Sequence, residues 1–257
     1  MVLSTSLLAS CNKDSGQRIV IAGSTSVQPY AEVLAEAYTL QHADVEIDIQ
    51  GGGSSAGITA AKNSTAELGM SSRSLKEDEL GLWVIEIAKD GLAIIVHPDN
   101  PINGLSLEEV RDIYTTDINN WARLGGTDAR IHIITREDGS GTRSAFEELV
   151  MGGQQISPRA IVQDSNGAVR QLVADDPNAI GFISLGLVGI GERPVKALSL
   201  EGIYPTSENV INGSYNLTRP FLFVALAKPE GHTLEFIDFV MSDEGRQILK
   251  TEGLIVE

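Results

Sequence analysis

The sequence predicts an α/β protein with a largely parallel sheet. Strand-like runs alternate with runs of helical period along the chain, and several strands end in glycine- and serine-rich turns that lead into helices. No repeat with a period of about 20–50 residues interrupts that alternation.

RIVIAG at 18–23 reads as the first strand, after which Val27, Ala31, Leu34 and Tyr38 fall on one helical face. In DVEIDIQ at 44–50, Val45, Ile47 and Ile49 alternate with acids; GGGSSAG at 51–57 follows, with a helix expected from about Ile58. ELGM at 67–70 is a third short strand running into SSRSL at 71–75, then a Lys- and Glu-rich segment expected to be helical. GLAIIVHP at 91–98 is a continuous apolar run of the kind a buried strand needs, broken by Pro98 and Pro101.

Ser106 and Glu109 have capping-box spacing, so a helix opens there. IHIIT at 131–135 is the next strand, and Ala145, Phe146, Leu149 and Val150 place the start of its helix near Thr142. DSNGAVRQLV at 164–173 reads as a capped helix, AIGFISL at 179–185 as a strand and FLFVALA at 221–227 as a second buried strand. Two amphipathic helices follow near 232–241 and 243–250. If the apolar runs at 91–97 and 221–227 are crossings between two lobes, residues 17–92 plus 216–257 form one lobe and 93–215 the other, with 1–16 outside both.

The formal net charge is −16, from 35 acidic and 19 basic residues. Phosphate neutralisation needs clustered Lys and Arg, so this balance argues against a nucleic-acid partner. It also opposes long-range attraction of any anion, which a local site would have to overcome.

The single cysteine, Cys11, excludes a disulfide framework and a cysteine metal site. LLAS at 7–10 precedes it and polar NKDSG follows, which resembles a bacterial lipoprotein signal whose cysteine becomes the lipid anchor. Met1 to Ser10 lacks the basic start of such a signal, so an incidental cysteine in a frayed terminus is the alternative. No other stretch approaches the ~20 apolar residues of a membrane span. His42, His97, His132 and His232 are scattered, and neither H-E-x-x-H, an EF-hand loop nor a P-loop occurs, so no metal or cofactor is expected.

Four turns share a composition: GSTS at 23–26, GGGSS at 51–55, SSRS at 71–74 and DGSGT at 138–142. A helix N-terminus presents unpaired N–H groups and partial positive charge, hydroxyls add donors, and glycine admits a ligand close to the backbone. In parallel sheets such turns lie at the carboxyl ends of the strands, where ligands bind. Each turn taken alone reads first as an N-cap, and it is the recurrence of four that favours a ligand. Gly53-Ser54-Ser55-Ala56-Gly57 also satisfies G-x-S-x-G, which makes Ser55 a candidate hydrolase nucleophile with His232 downstream. Gly51-x-Gly53-x-x-Ala56 is a weak dinucleotide fingerprint, without a ribose-binding acid beyond it. For Ser140 the residues alone leave nucleophile, anion cradle and cap open.

AGSTSVQPY at 22–30, QGGGSSAGI at 50–58, LGMSSRSL at 68–75 and REDGSGTRSAF at 136–146 resemble, in family order, the Pst-type phosphate-binding proteins of ABC importers. SNGAV at 165–169 and NAIGFISLG at 178–186 extend the likeness over nearly all of 18–250. The resemblance implies a type 2 periplasmic-binding-protein fold, two α/β lobes joined by a hinge with the ligand cleft between them. It implies a non-enzymatic, extracytoplasmic, lipid-anchored monomer that passes inorganic phosphate to a membrane permease. It assigns phosphate contacts to Thr25, Ser26, Ser54, Ser72, Arg136, Ser140, Gly141 and Thr142, and gives Asp138 the task of orienting Arg136. Many members carry an aspartate where this chain has Ser72. A carboxylate only accepts hydrogen bonds and so picks out a protonated ion, whereas a hydroxyl can donate or accept. Sulfate, molybdate or another tetrahedral oxyanion is therefore the alternative ligand.

Overall fold

The structure is a computed structural model that describes residues 17–189, 191 and 194–256; Cys11 and the signal-like stretch lie outside them. The expected alternation is present. β1 (Gln17–Gly23), β2 (Val45–Gly51) and β3 (Leu68–Ser71) pair in parallel, with α1 (Gln28–Thr39) and α2 (Ser54–Lys62) as crossovers. Val27, Ala31, Leu34 and Tyr38 are buried on one side, as their spacing requires. α2 begins at Ser54, four residues before the expected start. Its first turn lies against β1, where a Cβ on Gly57 would stand 2.4 Å from the Ala22 carbonyl oxygen. The Lys- and Glu-rich segment expected to be helical forms only a short 3-10 turn at Glu77–Glu79.

β4 (Trp83–Val96) is the longest strand, because it serves two halves of one sheet. Its first part pairs antiparallel with β11 (Thr218–Ala225), and Leu92–Val96 pairs antiparallel with β8 (Ala179–Ser184). Between them come β5 (Gly104–Leu105), α3 (Leu107–Thr115), β6 (His132–Arg136), α4 (Gly141–Phe146), β7 (Ile161–Gln163) and α5 (Asn166–Asp175). β9 (Lys196–Ala197), β10 (Ser199–Leu200) and α6 (Ser207–Ile211) lead to β11, and α7 (Gly231–Met241) and α8 (Asp243–Thr251) follow it. The Ser106 and Glu109 side chains form the reciprocal capping box that starts α3.

The sheet order is β2-β1-β3-β11-β4-β8-β6-β7, with β9 added to β4 and β10 paired separately with β5. The largely parallel sheet expected from sequence is therefore corrected to a mixed one. β3–β11, β11–β4 and β4–β8 are antiparallel, because β4 carries the chain from one half to the other and β11 carries it back. Apolar packing divides at the same place. Ile87, Ala88, Phe221, Phe223 and Ala225 pack with β1, α1 and α7, and Leu222 and Val224 with α2, whereas Leu92, Ile94, Val96 and Leu217 pack with α3, Phe146 and Phe182. Two lobes thus share two strands, whose crossings are Asp90–Leu92 and Leu217–Arg219. The Leu92 amide donates to the Leu217 carbonyl at 2.8 Å there.

Candidate functional site

The carboxyl ends of β1, β3 and β6 and the mouths of α1, α2, α4 and α5 meet beside the crossing strands. Ser26, Ser54, Ser72, Ser140 and Thr142 are each at most 1% exposed, far below what solvated turn residues show. The Ser24 hydroxyl donates to Ser72 Oγ at 2.9 Å, and the Ser72 amide donates to Ser54 Oγ at 3.1 Å. Ser26 Oγ and Thr142 Oγ1 lie 2.9 Å apart, joining the first turn to the fourth. Gly141 is where glycine is needed: a Cβ there would stand 2.3 Å from Ser54 Oγ and 2.6 Å from Ser72 Oγ. Ser140 caps α4 by accepting from the Arg143 amide. The Ser55 amide donates to the Gly139 carbonyl at 3.0 Å, so the second and fourth turns also touch.

Two buried arginines supply the charge. Arg136 ends β6 with its side chain 1% exposed; Nε and Nη2 donate to Glu137 at 2.8 and 2.9 Å, and Nη2 also donates to the Asp164 carbonyl. Its Nη1 is buried with no hydrogen-bond partner. Asp138, expected to orient this arginine, does not. It stands at the solvent-exposed tip of the turn before Gly139, whose φ is 89°, and pairs with Arg143 at 2.7 Å. Glu137, one residue earlier, folds back onto the guanidinium instead.

The second arginine, Arg219 on β11, has no counterpart among the expected site residues. Its Nε and Nη2 donate to Asp90 Oδ2 on β4 at 3.1 and 2.9 Å, and the Ser184 hydroxyl donates to Asp90 Oδ1 at 2.9 Å. Burial pushes the Asp90 carboxyl up, and the Arg219 guanidinium beside it pulls it back. Arg219 Nη2 also donates to Ser26 Oγ at 3.0 Å and Nη1 to Ser72 Oγ at 3.4 Å. Asn166, the first residue of α5, is the other unexpected member. Its amide nitrogen donates to Ser26 Oγ at 2.8 Å and to the half-buried Thr25 at 3.1 Å. The sequence signals were faint: the one arginine of β11, the last of three charges in β4, and an asparagine just after the Ser165 cap.

Ser55 lies in the second turn but is not set up as a nucleophile. Arg73 Nη2 donates to its hydroxyl at 3.0 Å, while the same guanidinium forms a bidentate pair with Glu79 at 2.7 Å. His232 pairs with Glu235, His132 with Asp176 and His97 with Asp99, and His42 stacks on Tyr38. No cluster of three His, Cys, Asp or Glu that could hold a metal occurs among the described residues. The grouping is thus rich in N–H and O–H donors and contains two guanidinium groups. Its carboxylates, Asp90 and Glu137, are both engaged with those groups. Chemically, it is suited to a small oxyanion.

Comparison with known proteins points the same way. The PBP superfamily domain pattern matches residues 10–244. Phosphate-binding protein PstS of Bacillus subtilis (strain 168) is 30% identical over 93% of this chain and 80% of that protein. PstS of Borreliella burgdorferi is 31% identical over 99% and 95%. The crystal structure of a Clostridium perfringens protein assigned as a phosphate ABC transporter substrate-binding protein, with phosphate bound, superposes with a TM-score of 0.89 at 43% identity, covering 94% of this chain and all of that one. The two-lobed fold with two crossing strands, the converging hydroxyl turns and the extent of these matches together show that the chain belongs to the PBP superfamily, in its Pst-type phosphate-binding branch.

Proposed function

We propose that the chain is an extracytoplasmic substrate-binding protein that captures inorganic phosphate between its lobes and delivers it to the permease of an ABC-type importer. The observation that carries this reading is the buried, unpartnered Nη1 of Arg136, at the strand end that leads into the buried Ser140 and Thr142 and within electrostatic reach of Arg219, which donates to Ser26 and Ser72. A buried donor without a partner is costly, and an oxyanion is the partner that fits a guanidinium best. The phosphate held by the C. perfringens relative supports the choice of ion.

In this reading Thr25, Ser26, Ser54, Ser72, Ser140 and Thr142 contribute hydroxyls, Gly141 contributes its amide, and Arg136 contributes the charge. Glu137 orients the arginine. The Ser26–Thr142 hydrogen bond holds the lobes together, so ligand entry requires them to part, with the hinge at Asp90–Leu92 and Leu217–Arg219. The lobes are proposed as residues 17–92 plus 216–257 and residues 93–215. Cys11 is proposed as the lipid anchor of a monomer held at the outer face of the membrane. No helix among the described residues is long and apolar enough to cross one.

The chain is read as a binding protein and not an enzyme, because an arginine donates to Ser55 where a general base would have to accept. Covalent labelling of Ser55 by a fluorophosphonate would overturn that. The phosphate reading is tested by calorimetry with phosphate on the chain and on Arg136→Ala. Binding by the first and its loss in the second are expected; unchanged binding in Arg136→Ala would show that the site is elsewhere.

A further inference from the structure

We propose that Arg219 is a specificity-determining residue that fixes the proton positions of Ser26 and Ser72, so that the pocket takes phosphate as the dianion and disfavours the monoanion. This rests on the phosphate reading above and goes beyond it.

A serine oxygen has two lone pairs and one proton. Ser26 Oγ accepts from Arg219 Nη2 at 3.0 Å and from the Asn166 amide nitrogen at 2.8 Å. The orientation of that amide is settled on the other side, where Asn166 Oδ1 accepts from the Ser184 N–H at 3.2 Å. Both lone pairs of Ser26 are therefore occupied, so its proton points away from Arg219 and is donated to Thr142 Oγ1 at 2.9 Å. Ser72 Oγ accepts from the Ser24 hydroxyl at 2.9 Å and from Arg219 Nη1 at 3.4 Å, which leaves its proton to Ser54 Oγ at 3.3 Å; a bound ion would take the place of Thr142 and Ser54 as the acceptor of these two protons. One guanidinium, locked by Asp90, turns two hydroxyls that could accept into donors.

A phosphate O–H that faced either hydroxyl would meet a proton and leave a buried hydrogen bond unmade. The dianion carries one such O–H and the monoanion two, whereas sulfate carries none at neutral pH. Arg219 thus favours the less protonated ion and does not exclude sulfate.

The titrating group in this proposal is the ligand. The charged and titratable groups facing Arg219 are Asp90 on β4, Arg136 on β6 and Tyr30 on α1; Tyr215 faces Asp90, and Glu137 lies on Arg136. Burial raises both tyrosines above their ordinary range. A change in the charge of Asp90 would move sulfate and phosphate together, and ionisation of the ligand moves phosphate alone.

The experiment measures Kd by calorimetry for phosphate and for sulfate at pH 6 and pH 8, on the full chain and on Asp90→Asn/Arg219→Met, which removes both buried charges. For the unmodified chain the phosphate Kd rises about tenfold at the lower pH, following the dianion fraction, while the sulfate Kd stays constant. In the double variant Ser26 and Ser72 regain an accepting lone pair, and the phosphate slope falls to about threefold or less. If that variant does not fold, Arg219→Lys keeps a charge opposite Asp90 but loses the planar fork whose separate Nη1 and Nη2 reach Ser72 and Ser26; one nitrogen on a shorter stem leaves at least one hydroxyl without that donor, so the slope falls there too. A phosphate Kd that is flat with pH in the unmodified chain overturns the inference and leaves the phosphate reading standing. So does a full slope in the variants, as would be seen if Arg219 only braced the hinge. No phosphate binding at either pH overturns both.

Discussion

Replacing Asp90 by alanine is the sharpest test of how the crossing strands are held. Asp90 and Arg219 side chains are 1% and 2% exposed, and the carboxylate accepts two charge-assisted hydrogen bonds from the guanidinium. Each such bond contributes about 1.5–3 kcal/mol, and Asp90→Ala also leaves Arg219 charged and buried without its partner. Breaking a buried pair from one side costs about 3–5 kcal/mol. At roughly 2–4 °C per kcal/mol for a chain of this size, the melting temperature should fall by about 6–20 °C. Replacing the pair with near-neutral, similarly sized groups avoids the stranded charge, so Asp90→Asn/Arg219→Met should recover at least half of that loss. Urea unfolding followed by circular dichroism measures both variants. A loss under about 1 kcal/mol for Asp90→Ala, or a double variant as unstable as the single one, would show that this buried pair does not hold the crossing strands.

Three further outcomes follow from the same geometry. Gly141→Ala places a methyl between Ser54 and Ser72 and should weaken phosphate binding by about 10–100-fold in calorimetry, at a stability cost of about 1–3 kcal/mol from overpacking. In Arg219→Met, Asp90 keeps its burial and loses the group that lowers its pKa, so its folded pKa rises further above the unfolded value. A raised folded pKa gives stability at low pH that is lost as pH rises through it, so this variant's urea midpoint should fall from pH 5 to pH 8. Ser106→Ala removes the acceptor for the Glu109 amide and should cost about 1 kcal/mol in urea unfolding, with phosphate affinity unchanged.

Features set by local chemistry were legible in the sequence. The Ser106–Glu109 capping box, the Ser165 cap and the apolar face of Val27, Ala31, Leu34 and Tyr38 need no tertiary information, and all are present. The start of α2 was not legible. Gly57 reads as part of a flexible turn, yet it lies inside the helix because Gly23 and Gly69 bring the backbones of β1 and β3 against it. Strand direction was also hidden, since an apolar run such as GLAIIV does not reveal whether its neighbours run with or against it.

At the site, the four hydroxyl turns and Arg136 were visible because they combine unusual composition with strand-to-turn placement. Arg219 and Asp90 were not, because a lone arginine in TRPFLFVA and an aspartate following Lys89 in WVIEIAKDGLAIIV carry no period that marks them as partners. Their partnership arises from the register of β4 against β11, which pairs Asp90 with Arg219. The choice between Glu137 and Asp138 as partner of Arg136 depended on which adjacent side chain the turn folds inward, a matter of backbone geometry.

In the proposed function these helix mouths and hydroxyls converge on one phosphate ion. A crystal structure of the chain with phosphate tests it most directly. A single ion is expected, with one oxygen in hydrogen-bond reach of Arg136 Nη1 and others accepting from Ser26, Ser72 and the Gly141 amide. A phosphate bound elsewhere, with Arg136 Nη1 still unpartnered, would contradict it.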